Sequence, residues 1–271
     1  MHRPEKLTPW LNQRFEILGH APVRTREDPT TSVVGLDGTE DSAHAAAWAA
    51  RLTSQVHLVY AEPRGYPGVG ASPGALEALA GAGRFAIGLV ESRLEGKNTK
   101  EHVLDGSPAR AIAEVADSIE SDLIIVGARH RAMGEGPGMG SVSETLAHHA
   151  PYPVLLATQP PGAGPVVLAA GEDASSREAA AWALRLSVTL ARELHVLHSA
   201  PDDLERLELT GFTDQARDAR AELVDWPPDK GIRSYLDERP AALLVLGHGR
   251  HHGWLGSTAL QMLRAAPCPV L

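Results

Sequence analysis

Apolar residues occur in short runs separated by alanine-rich or amphipathic stretches, a pattern that predicts strands alternating with helices. Residues 32–36, Ser-Val-Val-Gly-Leu, read as a buried strand, and Asp37-Gly38 as the turn after it. The alanine-rich stretch 42–52 suits a helix, and 55–61 (QVHLVYA) reads as a second strand. A loop rich in Gly and Pro over 62–74 leads to a helix over 76–95, with Leu76, Leu79, Phe85, Ile87, Leu89, Val90 and Leu94 as its apolar positions. A short strand over 101–104 precedes Gly106-Ser107-Pro108, which opens a helix running to Ile119; Pro108 sits at a tolerated first-turn position. Leu123-Ile124-Ile125-Val126 is a wholly apolar fourth strand, and 151–157 reads as a fifth. The alternation predicts a parallel sheet covered on both faces.

After a Pro- and Gly-rich stretch the pattern repeats. Val166-Val167-Leu168 stands for Val33-Val34-Gly35, and EAAAWALRL at 178–186 echoes HAAAWAARL at 44–52. Residues 193–198 echo 55–60, 243–247 echo the fourth strand, Gly256-Ser257 echoes Gly140-Ser141, and 266–271 echo 150–155. Segments matching in the same order point to a tandem duplication. The expected layout is an N-terminal arm over 1–31, a first domain over 32–159, a linker over 160–165 and a second domain over 166–271. The second copy has a shorter middle, with a weak third strand near 222–224, and a shorter glycine loop. Within the arm, Trp10, Leu11, Phe15, Ile17 and Leu18 fit one short docked helix, and Pro22 and Pro29 break any regular structure beyond it.

Composition narrows the function classes. The chain has 271 residues, 43% of them hydrophobic, and a formal net charge of -9, which argues against a nucleic-acid binder. No window approaches the roughly 20 apolar residues of a membrane span. The arm lacks the continuous apolar core of a signal peptide. A cytoplasmic protein without a membrane partner is expected. The single cysteine, Cys268, excludes an internal disulfide and reads as a small buried hydrophobe.

The candidate chemistry lies at 127–143, GARHRAMGEGPGMGSVS, between the fourth strand and a helix-like run. Glycine allows close approach of backbone to an anion, and the unpaired N–H groups of a helix start favour negative charge. Ser141 stands where an N-cap would stand, its hydroxyl able to cap the helix or meet a phosphate oxygen. Read alone, the stretch serves equally as a surface loop.

These residues resemble the tandem universal stress proteins, of the actinobacterial kind. That family's Gly-x2-Gly-x9-Gly-Ser/Thr signature is met by Gly127, Gly140 and Ser141, with His130 in place of the second glycine. VVGLDGTEDS and GSPARAI agree as well, and the likeness runs from Ser32 to Leu271. The resemblance implies an α/β fold: two tandem open-sheet domains, each a five-stranded parallel sheet between helices, Rossmann-like and adenine nucleotide alpha hydrolase-like. It implies a stress-response regulatory module that holds ATP or ADP, with or without Mg2+, at the carboxyl edge of the first sheet. By position, Asp37 would meet the adenine or ribose, and the backbone near Gly35 and Ala61 would line the base. Val126 and Gly127 would lie along the ribose. Arg129, His130, Gly140, Ser141, Val142 and Ser143 would surround the phosphates.

Asp37 serves equally as a turn-forming residue beside Gly38. Arg129 and Arg131 suit phosphate neutralisation or a solvated face. In the second copy, Ala170 replaces Asp37, Leu168 replaces Gly35 and Arg250 stands at the second glycine position, which marks a degenerate copy kept for pairing. The two copies are expected to pair sheet edge to sheet edge through 153–157 and 269–271, and two chains to form a dimer. No lysine precedes Ser141, so this is not a Walker A loop, and the loop holds no GxGxxG fingerprint. His248, His251 and His252 cluster without a neighbouring Cys or carboxylate, more a polar loop than a metal site. His148 and His149 suit the C-terminal end of a helix. The sequence therefore points to a nucleotide-binding module and not to an enzyme. The alternatives are a structural or interaction protein that has lost the ligand and, behind it, a slow ATPase with His130 as its base.

Overall fold

The computed structural model describes residues 29–62, 73–128, 139–170, 174–198, 219–223, 227–247 and 257–271. Residues 1–28 of the N-terminal arm, Arg129, His130, Arg131 and the His248–His252 cluster lie outside them. The chain divides into two compact units, Pro29–Pro161 and a second that contains Gly162–Leu271.

In the first unit the strands are β1 (Thr31–Leu36), β2 (Gln55–Glu62), β3 (Asn98–Asp105), β4 (Leu123–Gly127) and β5 (Val154–Ala157). The helices are α1 (Glu40–Leu52), α2 (Pro73–Glu91), α3 (Pro108–Ser118) and α4 (Ser141–His149). The sheet is parallel in the order β3-β2-β1-β4-β5. Its centre is β-branched and aliphatic because both faces are covered: Val33, Val34, Leu123, Ile124, Ile125 and Leu155 are all fully buried. Burying each such side chain stabilises the fold by about 1.5–3 kcal/mol. Trp48 of α1 is also fully buried, and its indole N–H is satisfied by the carbonyl of Gln159 at 2.9 Å.

Local chemistry sets the element ends. Thr39 caps α1, its hydroxyl accepting from the Ser42 N–H at 3.3 Å, so the helix begins at Glu40, earlier than the alanine pattern predicts. Helix α2 ends at Glu91, and Ser92–Leu94 continue as a 3-10 turn. β3 is longer than its apolar signal. Its first four residues are exposed and polar, and they are held by register to β2, with Gln55 opposite Asn98 and Leu58 opposite Glu101.

The second unit contains β6 (Val166–Ala170), β7 (Leu194–His198), β8 (Ala219–Leu223), β9 (Leu243–Leu246), α5 (Ala174–Leu190), α6 (Pro228–Glu238) and α7 (Ser257–Ala265). Its sheet is also parallel, and among the described residues it has four strands in the order β8-β7-β6-β9. The segment corresponding to β5 contributes an isolated bridge, Leu244 to Val270. Around it the Leu244 N–H donates to the Pro269 carbonyl at 2.9 Å, the Leu271 N–H to the Leu244 carbonyl at 2.9 Å, and the Leu246 N–H to the Leu271 carbonyl at 2.8 Å. Val167, Leu197, Ile232, Tyr235, Leu236, Leu244, Met262 and Val270 belong to one buried cluster of this unit.

Candidate functional site

In the first sheet the chain runs outward from β1 to β2 and β3, then returns to the other side of β1 for β4 and β5. The carboxyl ends of β1 and β4 therefore flank the topological switch point, where open α/β sheets place their ligands. Leu36 leads into Asp37 on one side of this crevice, and Gly127 leads into Ala128 on the other.

On the β1 side, Asp37 is exposed and its Oδ1 accepts from the Thr39 N–H at 2.9 Å and the Thr39 hydroxyl at 2.6 Å. Gly38 takes φ +78°, a left-handed turn that favours glycine. Asp37 thus does hold the turn, and it places a carboxylate beside the ends of β1 and β2. The phenol of Tyr60 registers that charge. Its pKa is raised above the ordinary value, by burial first, then by the Glu62 and Asp37 carboxylates. Ala61 is half-buried near the end of β2, opposite Leu104.

On the β4 side, Val126 is buried, and Gly127 pairs with Ala157 of β5. A Cβ on Gly127 would lie 2.9 Å from both the carbonyl carbon and the Cβ of Asp41. A Cβ on Gly35 would lie 2.5 Å from Cδ1 of Ile112 and 3.0 Å from Cγ1 of Val126. Gly127 is thus held close to the backbone of α1, and Gly35 lies against the end of the Ile112 side chain of α3.

The glycine loop leaves and returns at one point: the Gly140 N–H donates to the Ala128 carbonyl at 3.0 Å, and the Ala128 N–H donates to the Ala157 carbonyl at 3.1 Å. The N-cap of α4 is Gly140, not Ser141; Ser141 is the first helical residue, exposed, with Val142 half-buried behind it. Gly140 has an ordinary extended backbone, φ -68° and ψ 149°, and has no side chain to cap the helix. The first intrahelical bond, Glu144 N–H to Gly140 carbonyl, is 2.9 Å, so the N–H groups of Ser141, Val142 and Ser143 precede the helical ladder. Ser143 is buried, and its hydroxyl donates to the Gly127 carbonyl at 2.6 Å. It is a clamp that fixes the start of α4 to the end of β4.

The structure therefore brings Gly35, Asp37, Ala61, Val126, Gly127, Gly140, Ser141, Val142 and Ser143 to the carboxyl edge. Sequence reasoning alone misses Thr39 and Tyr60. A Thr ahead of Glu40 and Asp41 is a readable capping signal, whereas Tyr60 has none apart from its strand.

In the second unit the corresponding edge is built differently. Strand register sets Ala169, half-buried, where Gly35 stands in the first copy, and Leu168 where Val34 stands, which corrects the match of Leu168 to Gly35 made from the sequence. His198 stands at the position of Tyr60, is buried, and donates from Nδ1 to the carbonyl of Ala170 at 3.0 Å. Ala170 answers to Leu36, and the place of Asp37 falls to Gly171, a residue without a carboxylate that lies outside the described residues.

Relatives agree with this geometry. The model of the universal stress protein family matches residues 31–158. A universal stress protein of Methanocaldococcus jannaschii is 30% identical over 138 residues, which span 47% of this chain and 81% of that protein. Among solved structures, a universal stress protein from Archaeoglobus fulgidus superposes with a TM-score of 0.73 at 17% identity, over 89% of this chain and 96% of that one. A Pseudomonas aeruginosa protein of unknown function gives a TM-score of 0.61 at 19% identity, over 89% of this chain and 91% of its own. These likenesses in fold extend over both sheets, and with the sequence match to the archaeal relative they establish that the chain belongs to the universal stress protein family.

Proposed function

We propose that the first unit binds an adenine nucleotide, ATP or ADP with or without Mg2+, and that the protein acts as a nucleotide-binding stress-response module and not as a committed enzyme. The observation that carries this reading is the start of α4. The Ser143 hydroxyl fixes it 2.6 Å from the Gly127 carbonyl at the switch point, with the N–H groups of Ser141 and Val142 ahead of the helical ladder. Such a start suits phosphate oxygens. The other end of the crevice is acidic, since Asp37 and Glu62 are close enough to raise Tyr60. Negative charge there disfavours phosphate and favours the donor groups of a ribose or an adenine amine. The crevice is thus polarised along the direction in which a nucleotide would lie. Arg129 and His130 are assigned to the phosphates by their place in the motif.

A second reading has its own support. Asp37 Oδ1 and the Ser143 hydroxyl both serve internal hydrogen bonds, and Gly35 and Gly127 are explained by packing. A scaffold that never meets a nucleotide would need the same residues. Identification of nucleotide released from the denatured protein separates the two.

A further inference from the structure

The repeat places a histidine at the same position of the second strand in each unit: His57 in β2 and His195 in β7. Both are buried, and their surroundings differ. His195 has a carboxylate at hand, with Nε2 3.1 Å from Glu193 and Nδ1 against the Tyr235 hydroxyl. His57 faces a second imidazole: its Nδ1 lies 3.0 Å from Nε2 of His102 in β3, with the rings stacked at 5.1 Å and 17° apart. Its Nε2 is buried and has no hydrogen-bond partner among the described residues.

Register gives the neighbours. His57 lies between Val33 of β1 and Lys100 of β3, and Val59 lies between Gly35 and His102. Helix α3, which covers β1 and β2, buries Ala109, Ala111, Ile112, Val115 and Ala116; its Arg110 and Glu114 pair with each other at 2.9 Å and are exposed, as is Asp117. The charge that bears on the pair is therefore Lys100, of like sign to a proton. Two neutral imidazoles share one hydrogen bond, in which one ring nitrogen donates and the other accepts. An added proton places a cation beside Lys100, or an N–H at the buried Nε2.

We propose that the His57–His102 pair is a proton-operated clasp, which holds the edge strand β3 on β2 when neutral and loosens β3 ahead of the rest of the sheet when protonated. Burial, the neighbouring imidazole and Lys100 lower the His57 pKa, and burial and Lys100 lower that of His102. The unfolded chain therefore takes up the proton first. The clasp is complete above the ordinary histidine value of 6.5, weakens as pH falls below it, and is lost through the lower folded values. β3 is the element placed to respond, because it is an edge strand whose residues are exposed or half-buried.

Hydrogen exchange on the full chain, read by mass spectrometry at about pH 7.5 and about pH 5.5 and scaled by intrinsic exchange rates, tests this. The expected result is a loss of protection over 98–105 about tenfold greater than over 123–127 at the lower pH, with the difference abolished in H57Q/H102Q, whose amides bond each other at either pH. Equal loss in β3 and β4, or a selective loss that persists in the double variant, overturns the clasp. Imidazole NMR titration of the unaltered protein gives an answer even if that variant does not fold. Two coupled transitions below the ordinary range support the clasp, and two independent ordinary titrations refute it.

Discussion

Replacing Gly127 with alanine separates a glycine held by packing from one held by a ligand. The added Cβ would sit 2.9 Å from the Asp41 carbonyl carbon, 2.9 Å from its Cβ and 3.1 Å from the Ser42 nitrogen. Two of these atoms are backbone in the first turn of α1, which Thr39 anchors and which is buried at Ser42 and Ala43. Nothing there can rotate away, so the helix start must shift. Overpacking of this kind costs about 1–3 kcal/mol. With a urea m-value of about 2 kcal/mol/M, the midpoint should fall by about 0.5–1.5 M. Gly35→Ala is the internal control. Its closest contact, 2.5 Å, is Cδ1 of Ile112, the far end of a side chain that can change rotamer, so the expected cost is smaller, about 0.5–1.5 kcal/mol. Urea unfolding followed by circular dichroism, without nucleotide, measures both. An unchanged midpoint for Gly127→Ala, or a larger loss for Gly35→Ala, refutes the packing account.

Ser143→Ala removes the clamp between α4 and β4 and should cost about 1–2 kcal/mol by urea unfolding, while weakening any nucleotide binding through the displaced helix start. An equal stability with unaltered affinity contradicts the positioning role. Burial pushes the Cys268 thiol up to about 12, and the side chain is 1% exposed. A thiol reagent at about pH 8 should leave the native protein unlabelled and label it once in denaturant. Rapid native labelling contradicts the placement of Cys268 in the core.

The central strands are legible in the sequence because burial on both faces makes them continuous apolar runs: Val33-Val34, Leu123–Val126 and Leu155-Leu156 belong to β1, β4 and β5 as expected. The edge is less legible. Asn98, Thr99, Lys100 and Glu101 carry no strand pattern, and only their pairing with β2 makes them β3. The same holds in the second unit, where β8 spans Ala219–Leu223 although the apolar signal points to 222–224. The motif presents its glycines as ligand contacts, whereas Gly35 and Gly127 each answer to a neighbouring helix, a contact no spacing rule shows. Residue type alone makes Ser141 the cap, but the cap is Gly140, whose N–H already closes the loop onto Ala128. The His57–His102 contact joins residues far apart in the chain and leaves no local signal.

The central claim is that one of the two copies retains a nucleotide site. Freshly purified protein, denatured under mild conditions, should release ATP or ADP at about one per chain, as expected for one helix start at a polarised crevice and one copy in which Ala169, Gly171 and His198 stand where Gly35, Asp37 and Tyr60 stand in the first. Absence of released nucleotide, together with a flat calorimetric titration against Mg-ATP, contradicts the claim and leaves the chain as a scaffold of the same fold.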